Sequence, residues 1–354
     1  MRMLKKGCFM VNKIGLDLGY ANITLSDASL EVVREPSVAL LDKDTRRILS
    51  VGNTAMEMAT AANEPVRPLK NGILYSVEFT EQIIKSVLSR LKNSTDIRCV
   101  FGIGADFNQK QIAQLRDILH SAGVKECFFV NRAMAAVIGA GFIPTMSVCS
   151  VNIGAKRTEV AILHKGEVVY SASKPIGGED FDLAVQEYIL KNGELNIALQ
   201  DARKIKESIG AVWEGRCSEP IDVTGTLVLT GNRIHMSINT EDILGVFEKP
   251  LYELLNAVAI PMRRLEAKYI DAVLENGILL TGGGAELFGL DKMMRNVFKL
   301  PVSTMKAPDD LVARGLAAIA SFLPVKMRHE GKDITEKIGE LYTEYQSQKK
   351  KKND

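Results

Sequence analysis

Two stretches of this sequence repeat one pattern, namely an apolar strand, a tight glycine turn and a second apolar strand. They are KIGLDLGYANITL at residues 13–25 and SVNIGAKRTEVAIL at residues 150–163. In such a turn the glycine lets backbone N–H groups approach a phosphate, and a preceding carboxylate holds a hydrated Mg²⁺. Aligned, DLG at residues 17–19 matches NIG at residues 152–154, so only the first copy keeps the acid. A duplicated hairpin of this kind predicts two related domains facing one cleft.

Length, charge and cysteine usage limit the functions open to the chain. Its 354 residues suffice for two domains that each bury a core. Lys plus Arg number 45 and Asp plus Glu number 43, so we expect no nucleic-acid partner. The five cysteines lack CxxC spacing, which favours reduced thiols in a cytosol. No apolar run approaches the roughly 20 residues of a membrane span, and we expect a protein that is not exported.

A third glycine cluster lies further along the chain. In GILLTGGGAELFGLD, residues 277–291, three glycines separate an expected strand from an expected helix. Backbone N–H groups at such a helix start can face a nucleotide. One cluster alone would more simply form a tight turn, but three clusters in this order favour a nucleotide site. Strands and helices alternate between the clusters, which predicts mainly parallel sheets covered by helices.

These motifs resemble the actin-like ATPase superfamily and, within it, the bacterial cell-shape actins of the MreB family. The resemblance runs from about residue 13 to about residue 322 and includes EPSV, RPLKNG, AMAAVIGAG, IGGEDFD and VARGLAAI. It implies an α/β, actin-like (ribonuclease H-like duplicated) two-domain fold with a nucleotide cleft between the domains. It also implies a first domain at residues 1–144 with 308–324, whose small subdomain is at about 31–66. The second domain would span residues 145–307, with a small subdomain at about 182–245, and a charged tail would follow at residues 325–354.

The resemblance carries expectations about function. Members of that family bind ATP with Mg²⁺, polymerise into filaments, and lie on the inner face of the plasma membrane, where they organise cell-wall synthesis. We therefore expect a cytoplasmic protein, peripheral at the inner membrane, that takes part in cell-shape determination. The implied cofactor is ATP or ADP with Mg²⁺. The implied partners are the chain itself or an MreB paralogue, the inner membrane surface and cell-wall elongation proteins.

The resemblance assigns nucleotide contacts to two phosphate loops, one lysine and the TGGGA segment. These residues are Asp17, Gly19, Tyr20, Ala21, Asn22, Asn152, Gly154, Ala155, Lys156, Arg157, Thr158, Lys206, Gly282, Gly283, Gly284 and Ala285. Asp17 would also hold Mg²⁺ through water, and one or two protein carboxylates commonly suffice for that ion.

Both phosphate loops depart from the family pattern. The first usually reads DLGTAN, and here Tyr20 replaces the small threonine. The second usually reads DIGGGTTE, and here Asn152 replaces the acid while AKR replaces two glycines and a threonine. A Cβ on Ala155 and Lys156 makes a turn that needs positive φ harder to form. Lys156 and Arg157 either contact phosphates in place of a metal or point to solvent, and both alternatives stay open.

The family's water-positioning acid, in a motif like IEEPMAA, is also replaced. The matching VNRAMAA puts Asn131 on the first acid, Arg132 on the second and Ala133 on the proline. An asparagine can hold a water but cannot take its proton, although some phosphoryl-transfer enzymes position water with a neutral Gln. Losing general-base help costs ~10²–10⁴-fold and losing one preorganised contact ~10²–10³-fold. We therefore expect Asn131 to be inactive as a catalytic group and hydrolysis to be near background.

The adenine-side helix changes as well. The family's AEEIKIEIGSA becomes ARKIKESIGAV, with Arg203 and Lys204 where acids usually stand and Lys206 retained. The sequence thus leaves the contacts of this helix with ribose and adenine open.

Both ends of the chain offer candidate membrane contacts. Residues 1–10, MRMLKKGCFM, mix apolar and basic side chains and could form a short amphipathic anchor, with a frayed start as the alternative. In the tail, apolar residues recur at helical spacing from Ile334 to Tyr345, and a lysine run follows at residues 349–352. We expect a solvated, partly disordered tail, with membrane or partner docking as the alternative.

Three functional hypotheses follow. The leading one is an MreB-like filament subunit with weak or absent ATP hydrolysis, acting as a scaffold or as a modifier of an active paralogue. The second is a fully active, ATP-driven filament protein whose loops have drifted without loss of function. The third, an actin-fold small-molecule kinase, would need a catalytic carboxylate in the cleft, and the matching positions offer no candidate.

Overall fold

A computed structural model describes residues 12–60, 62–70, 72–91, 96–327 and 330–353, without the side chains of residues 271, 272, 352 and 353. The candidate membrane anchor at residues 1–10 lies outside the described residues.

The strands, in chain order, are β1 (Asn12–Leu18), β2 (Asn22–Asp27), β3 (Val32–Pro36), β4 (Ala39–Asp42), β5 (Ile48–Val51), β6 (Asn63–Val66), β7 (Leu69–Lys70), β8 (Ile73–Leu74), β9 (Ile97–Ile103), β10 (Val124–Asn131), β11 (Val148–Ile153), β12 (Thr158–His164), β13 (Glu167–Lys174), β14 (Leu195–Asn196), β15 (Ile221–Leu227), β16 (Arg233–Ile238), β17 (Ile278–Thr281) and β18 (Val302–Thr304).

The helices are α1 (Gly52–Glu57), α2 (Val77–Leu88), α3 (Gln109–Ser121), α4 (Arg132–Gly139), α5 (Gly178–Gly193), α6 (Leu199–Ile209), α7 (Thr240–Ile243), α8 (Glu248–Arg263), α9 (Ala267–Asn276), α10 (Leu290–Phe298), α11 (Leu311–Phe322) and α12 (Ile338–Asn353), with 3₁₀ turns at Gly283–Glu286 and Thr335–Lys337. None of these described helices has both the length and the apolar character that a membrane crossing requires.

The described residues form two compact units. One comprises those up to Pro144 and those from Asp310 onward, and the other comprises Thr145–Asp309. Each contains a five-stranded sheet, ordered β3-β2-β1-β9-β10 in the first and β13-β12-β11-β17-β18 in the second. In both sheets the first three strands are antiparallel and the last two run parallel to the central strand. The two sheets are therefore copies of one topology.

The central strand of the first unit buries both of its faces. Ile14 and Leu16 belong to an apolar cluster that includes buried side chains of α2 and α3. On the other face, Gly15 lets α11 approach closely, since a Cβ there would lie 2.3 Å from the backbone nitrogen of Ala317. From Ile14 to Leu18 this strand is apolar or glycine except at Asp17, which fits a strand packed on both faces.

Helices α4 and α11 meet through two glycines. A Cβ on Gly139 would lie 1.9 Å from the Leu311 carbonyl oxygen, and one on Gly315 would lie 1.8 Å from the Ala135 carbonyl oxygen. Both distances are far below van der Waals contact, so the backbones of the two helices touch directly. This contact fixes α4, which starts at the candidate catalytic position.

The second unit has its own core. Its largest apolar cluster joins β11 and β12 to α5, α6 and α8, with Phe181 and Phe247 packed at 5.5 Å between ring centroids. A smaller antiparallel sheet, ordered β14-β15-β16, lies in the same unit.

The C-terminal segment departs from the expectation of a partly disordered tail. Residues 331–334 run beside β10, where the Phe129 N–H donates to the Lys332 carbonyl at 3.0 Å and the Ile334 N–H donates to the Phe129 carbonyl at 2.9 Å. Ile334 and Ile338 are 1% and 0% exposed. The expectation was wrong for this stretch because the open edge of β10 supplies backbone partners. Exposed residues of this segment include Lys332, Asp333, Glu336 and the lysines at residues 349–351.

Candidate nucleotide site

The two glycine turns have the same backbone geometry. In the first, the Gly19 N–H donates to the Asn22 carbonyl at 2.8 Å, and in the second the Gly154 N–H donates to the Arg157 carbonyl at 2.9 Å. Each turn follows the central strand of its own sheet. The duplicated hairpin read from the sequence is thus present in both units.

Non-glycine residues do not strain the second turn. Neither Ala155 nor Lys156 has a positive φ, so the expected difficulty in forming this turn was wrong. The start of α5 holds the turn instead, with the N–H groups of Gly178 and Glu179 donating to the carbonyls of residues 154 and 155 at 2.9 and 2.8 Å. Gly177 is required for this approach, because a Cβ there would lie 2.6 Å from the Ala155 carbonyl oxygen.

The first turn is held by EPSV and RPLKNG. The Ser37 N–H donates to the Ala21 carbonyl at 2.8 Å. Arg67 donates to the Tyr20 carbonyl at 2.9 Å, and its guanidinium lies 4.8 Å from the centroid of the Tyr20 ring. The bulky tyrosine is therefore accommodated by a cation–π contact. Sequence reasoning missed Arg67, although it lies in a motif that carried the family resemblance.

Asp17, the carboxylate of the first turn, is paired with an arginine. Arg132 Nε lies 2.7 Å from Asp17 Oδ1, and the two side chains are 11% and 17% exposed. A second guanidinium nitrogen, Nη2, donates to the Leu18 carbonyl. From the sequence, Arg132 was recognised only as the residue that replaces the family's second acid, and this contact was not predicted.

A glycine lets the pair form across the sheet. Strand β9 lies between β1 and β10, and Gly102 on β9 pairs with Val130 of β10. A Cβ on Gly102 would lie 3.1 Å from Asp17 Oδ1 and 3.2 Å from Arg132 Cγ. Because this position has no side chain, Arg132 reaches over β9 to the carboxylate on β1.

This pair bears on the magnesium ion that the family implies. In the sequence assignment, Asp17 is the protein carboxylate that would hold the ion's water. Its Oδ1 already accepts a charge-assisted hydrogen bond from Arg132 at 2.7 Å. A guanidinium and a hydrated divalent cation repel each other at one carboxylate. The residues present therefore do not fit a hydrated Mg²⁺ at Asp17.

Asn131 is a helix cap. Its Oδ1 accepts a hydrogen bond from the Ala133 N–H at 2.8 Å at the start of α4. Its own backbone N–H donates to Thr335 Oγ1 at 2.9 Å. The amide oxygen that would have to orient a water is thus engaged with the backbone of α4.

The two cations of the second turn contact other groups of the same unit. Lys156 Nζ lies 2.6 Å from Glu179 Oε1, and Arg157 Nε donates to Ser173 Oγ at 2.7 Å. Neither side chain simply points to solvent, which answers one of the two alternatives left by the sequence. Thr158 Oγ1 donates to the Ile176 carbonyl at 2.8 Å and fixes the end of the turn.

Lys206 ties α6 to the start of α5. Its Nζ donates to the Gly178 carbonyl at 2.9 Å and lies 2.6 Å from Asp182 Oδ1. Burial raises the pKa of the Asp182 carboxyl, and the Lys206 ammonium opposes that rise. Arg203 and Lys204 pair with acids on the surface of α6, at 2.7 and 3.0 Å.

The glycines of TGGGA have unequal roles. Gly282 has a φ of +78°, and a Cβ there would lie 2.4 Å from Asn152 Oδ1. A Cβ on Gly284 would lie 2.2 Å from Ile153 Cγ2, whereas the nearest atom to a Cβ on Gly283 would be Asp309 Cβ at 4.0 Å. Gly282 and Gly284 thus pack against the second hairpin, and Gly283 has space in front of it. A 3₁₀ turn that includes the buried Ala285 follows directly, and the α-helix expected here begins only at Leu290.

Comparison with known proteins places these features in a family. The model of the MreB/Mbl protein family matches residues 11–326. The cell shape-determining protein MreB of Escherichia coli strain K12 is 32% identical over 332 residues, which cover 88% of this chain and 94% of that protein.

Solved structures agree on the fold. The crystal structure of Spiroplasma citri MreB5 bound to ADP has a TM-score of 0.81 at 23% identity, covering 86% of this chain and 95% of that one. A MamK double helical filament has a TM-score of 0.74 at 22% identity, covering 89% of this chain and 100% of that one. The chain therefore has an actin-like α/β fold.

Proposed function

This chain belongs to the MreB/Mbl family, and from that premise we propose that it is a cytoskeletal filament subunit that binds an adenine nucleotide and hydrolyses it weakly or not at all. It would work in cell-shape determination as a scaffold or as a modifier of an active paralogue. The observation that supports weak hydrolysis concerns the two positions where the family has acids and this chain has Asn131 and Arg132. Asn131 caps α4, and Arg132 is paired with Asp17.

Nucleotide binding is supported by the backbone of the two turns. Both keep the same hydrogen bond after a central strand, and Gly283 has space in front of it. The related S. citri MreB5 has been solved with ADP. The residues that we propose for nucleotide contact are those assigned by family resemblance, namely Asp17, Gly19, Tyr20, Ala21, Asn22, Asn152, Gly154, Ala155, Lys156, Arg157, Thr158, Lys206, Gly282, Gly283, Gly284 and Ala285.

Filament formation is supported by relatives. MamK, which shares the fold, forms a double helical filament. We extend the proposal to copolymers with an MreB paralogue, to a cytoplasmic location at the inner membrane and to cell-wall elongation proteins as partners. Exposed lysines at residues 349–351 near the end of α12 would each contribute about 1 kcal/mol beside an anionic leaflet.

Two measurements on the purified full chain test the proposal. ATP turnover with Mg²⁺ is compared with that of E. coli MreB in the same buffer, and we expect turnover near the protein-free background. Filaments are sought by electron microscopy with ATP, with ADP and without nucleotide. Turnover equal to that of E. coli MreB would overturn the weak hydrolysis. An absence of filaments, alone and with a paralogue, would overturn the scaffold.

A fully active filament protein is the second candidate, favoured by the intact backbone of both turns. The variant carrying Asn152→Asp and Asn131→Glu separates the two candidates. If wild-type turnover is high and the double variant leaves it unchanged, the wild-type site was never limited by those acids. A low wild-type rate favours the leading proposal.

A further inference from the structure

The pair of Asp17 and Arg132 places a permanent cation at the first phosphate loop. The guanidinium lies 2.7 Å from the carboxylate and both side chains are largely buried, at 11% and 17% exposure. We infer that this chain binds its nucleotide without Mg²⁺, because the Arg132 guanidinium neutralises the Asp17 carboxylate in place of a metal ion. The inference rests on the proposed nucleotide binding and adds the ionic form of the ligand.

The first step of the argument is the charge on the turn. A bare carboxylate beside a phosphate loop repels phosphate, and a bridging Mg²⁺ ordinarily relieves that repulsion. Here the carboxylate accepts a hydrogen bond from Arg132 Nε, and Nη2 of the same guanidinium donates to the Leu18 carbonyl. The pair is close to neutral, so an anionic phosphate meets no uncompensated acid. No metal is needed for the turn to admit it.

The second step is that the pair is built into the sheet. Arg132 is the first residue of α4, directly after β10, and it crosses β9 where Gly102 leaves room. The glycine contact between α4 and α11 fixes the helix that carries the arginine. A guanidinium whose Nε donates to a carboxylate and whose Nη2 donates to a backbone carbonyl does not readily give way to a hydrated ion.

The third step concerns the second turn, taken by itself. Its acid position carries Asn152, which is neutral and whose Oδ1 lies against Gly282. Neither turn therefore offers an uncompensated carboxylate to a metal-bound water. The Arg132 pair in the first hairpin and Asn152 in the second each remove the need for a metal ion to neutralise an acid.

The experiment is calorimetric titration of the full-length chain with ATP, once in EDTA and once in excess Mg²⁺. For the wild type we expect the Kd in EDTA to equal or fall below the Kd in Mg²⁺. Arg132→Met uncovers Asp17, so binding in EDTA should weaken about tenfold or more while Mg²⁺ restores part of the loss. Arg116→Met, which removes a surface arginine paired with Asp117, is the matched control and should change neither value.

A second variant distinguishes loss of the charge pair from misfolding of the Arg132→Met protein. The double change Asp17→Asn with Arg132→Met removes both charges and leaves no unpaired buried acid, and its binding should again be indifferent to Mg²⁺. Wild-type binding that appears only with Mg²⁺ would overturn the inference and leave the proposed function standing. No binding in either buffer would overturn nucleotide binding itself, and the inference with it.

Discussion

The backbone N–H of Asn131 donates to the side-chain oxygen of Thr335, at 2.9 Å. Asn131, which the resemblance assigns to the water-positioning site, is therefore held by the C-terminal segment, and that segment lies beyond residue 326, the last residue matched by the family model. Thr335 is 8% exposed and its hydroxyl in turn donates to Asp333 Oδ1 at 2.5 Å. The segment beyond residue 326 is thus part of the structure around this site.

Replacing Thr335 by valine tests this contact. The change keeps the shape and leaves the Asn131 N–H without its acceptor, so unfolding free energy should fall by about 1–3 kcal/mol. Urea denaturation followed by circular dichroism measures the loss. Thr343→Val removes an exposed hydroxyl that donates to the Gly339 carbonyl, and it should change stability by less than about 0.5 kcal/mol. Equal effects of the two variants would contradict the role of Thr335.

The cap at Asn131 predicts a ranking of variants. Asn131→Asp keeps an oxygen for the Ala133 N–H and should leave stability nearly unchanged, while Asn131→Ala should cost about 0.5–2 kcal/mol. The aspartate variant also returns an acid to this position without loss of the cap. Thermal melts at neutral pH give the ranking. An alanine variant as stable as the wild type would show that the cap contributes nothing.

The contact of α4 with α11 makes Gly315 intolerant of a methyl group. Gly315→Ala forces the helices apart and should destabilise the chain by at least about 1–3 kcal/mol, although alanine is the better helix former. Gly245→Ala is the control, because no atom lies within 4 Å of the added Cβ. Melting temperatures of the two variants should differ by several degrees. A Gly315→Ala protein with the same melting temperature as the control would contradict direct contact between the backbones of the two helices.

Thiol chemistry should single out one described cysteine. Cys217 is exposed, whereas Cys99, Cys127 and Cys149 are buried. Burial raises the pKa of the Cys149 thiol to about 12 and raises the pKa values of Cys99 and Cys127 above their ordinary range. These thiols stay protonated at pH 8 and should react only after unfolding. In a Cys8→Ser background, mass spectrometry after iodoacetamide treatment should find one modified thiol in the native protein and four in urea.

Local sequence signals predicted the hairpins and much of the helical order. Gly19 and Gly154 lie in turns of equal length, since Leu18 pairs with Ile23 in one copy and Ile153 pairs with Thr158 in the other. Helix α3 starts where the Asn108 and Gln111 side chains form a capping box, and Gly123 follows its end with a φ of +99°. Signals of this kind lie within a few residues of the feature that they specify.

The long-range contacts of the candidate site could not be predicted from local signals. Arg132 reaches Asp17 only because β9 lies between their strands and carries Gly102, which is a property of sheet order. The C-terminal segment lies beside β10 because that strand is at the edge of its sheet. Such contacts join residues more than a hundred positions apart, and no local sequence pattern marks them.

The strand-like pairing of residues 331–334 with β10 also limits how copies of this chain can join. An open edge strand is a template that recruits strands from other molecules. Here the main-chain groups of Cys127 and Phe129 at that edge already serve Gly331, Lys332 and Ile334. Another molecule therefore cannot add a strand at this edge while the segment is in place. Deleting the segment would expose an unpaired strand edge of the kind that leads to aggregation.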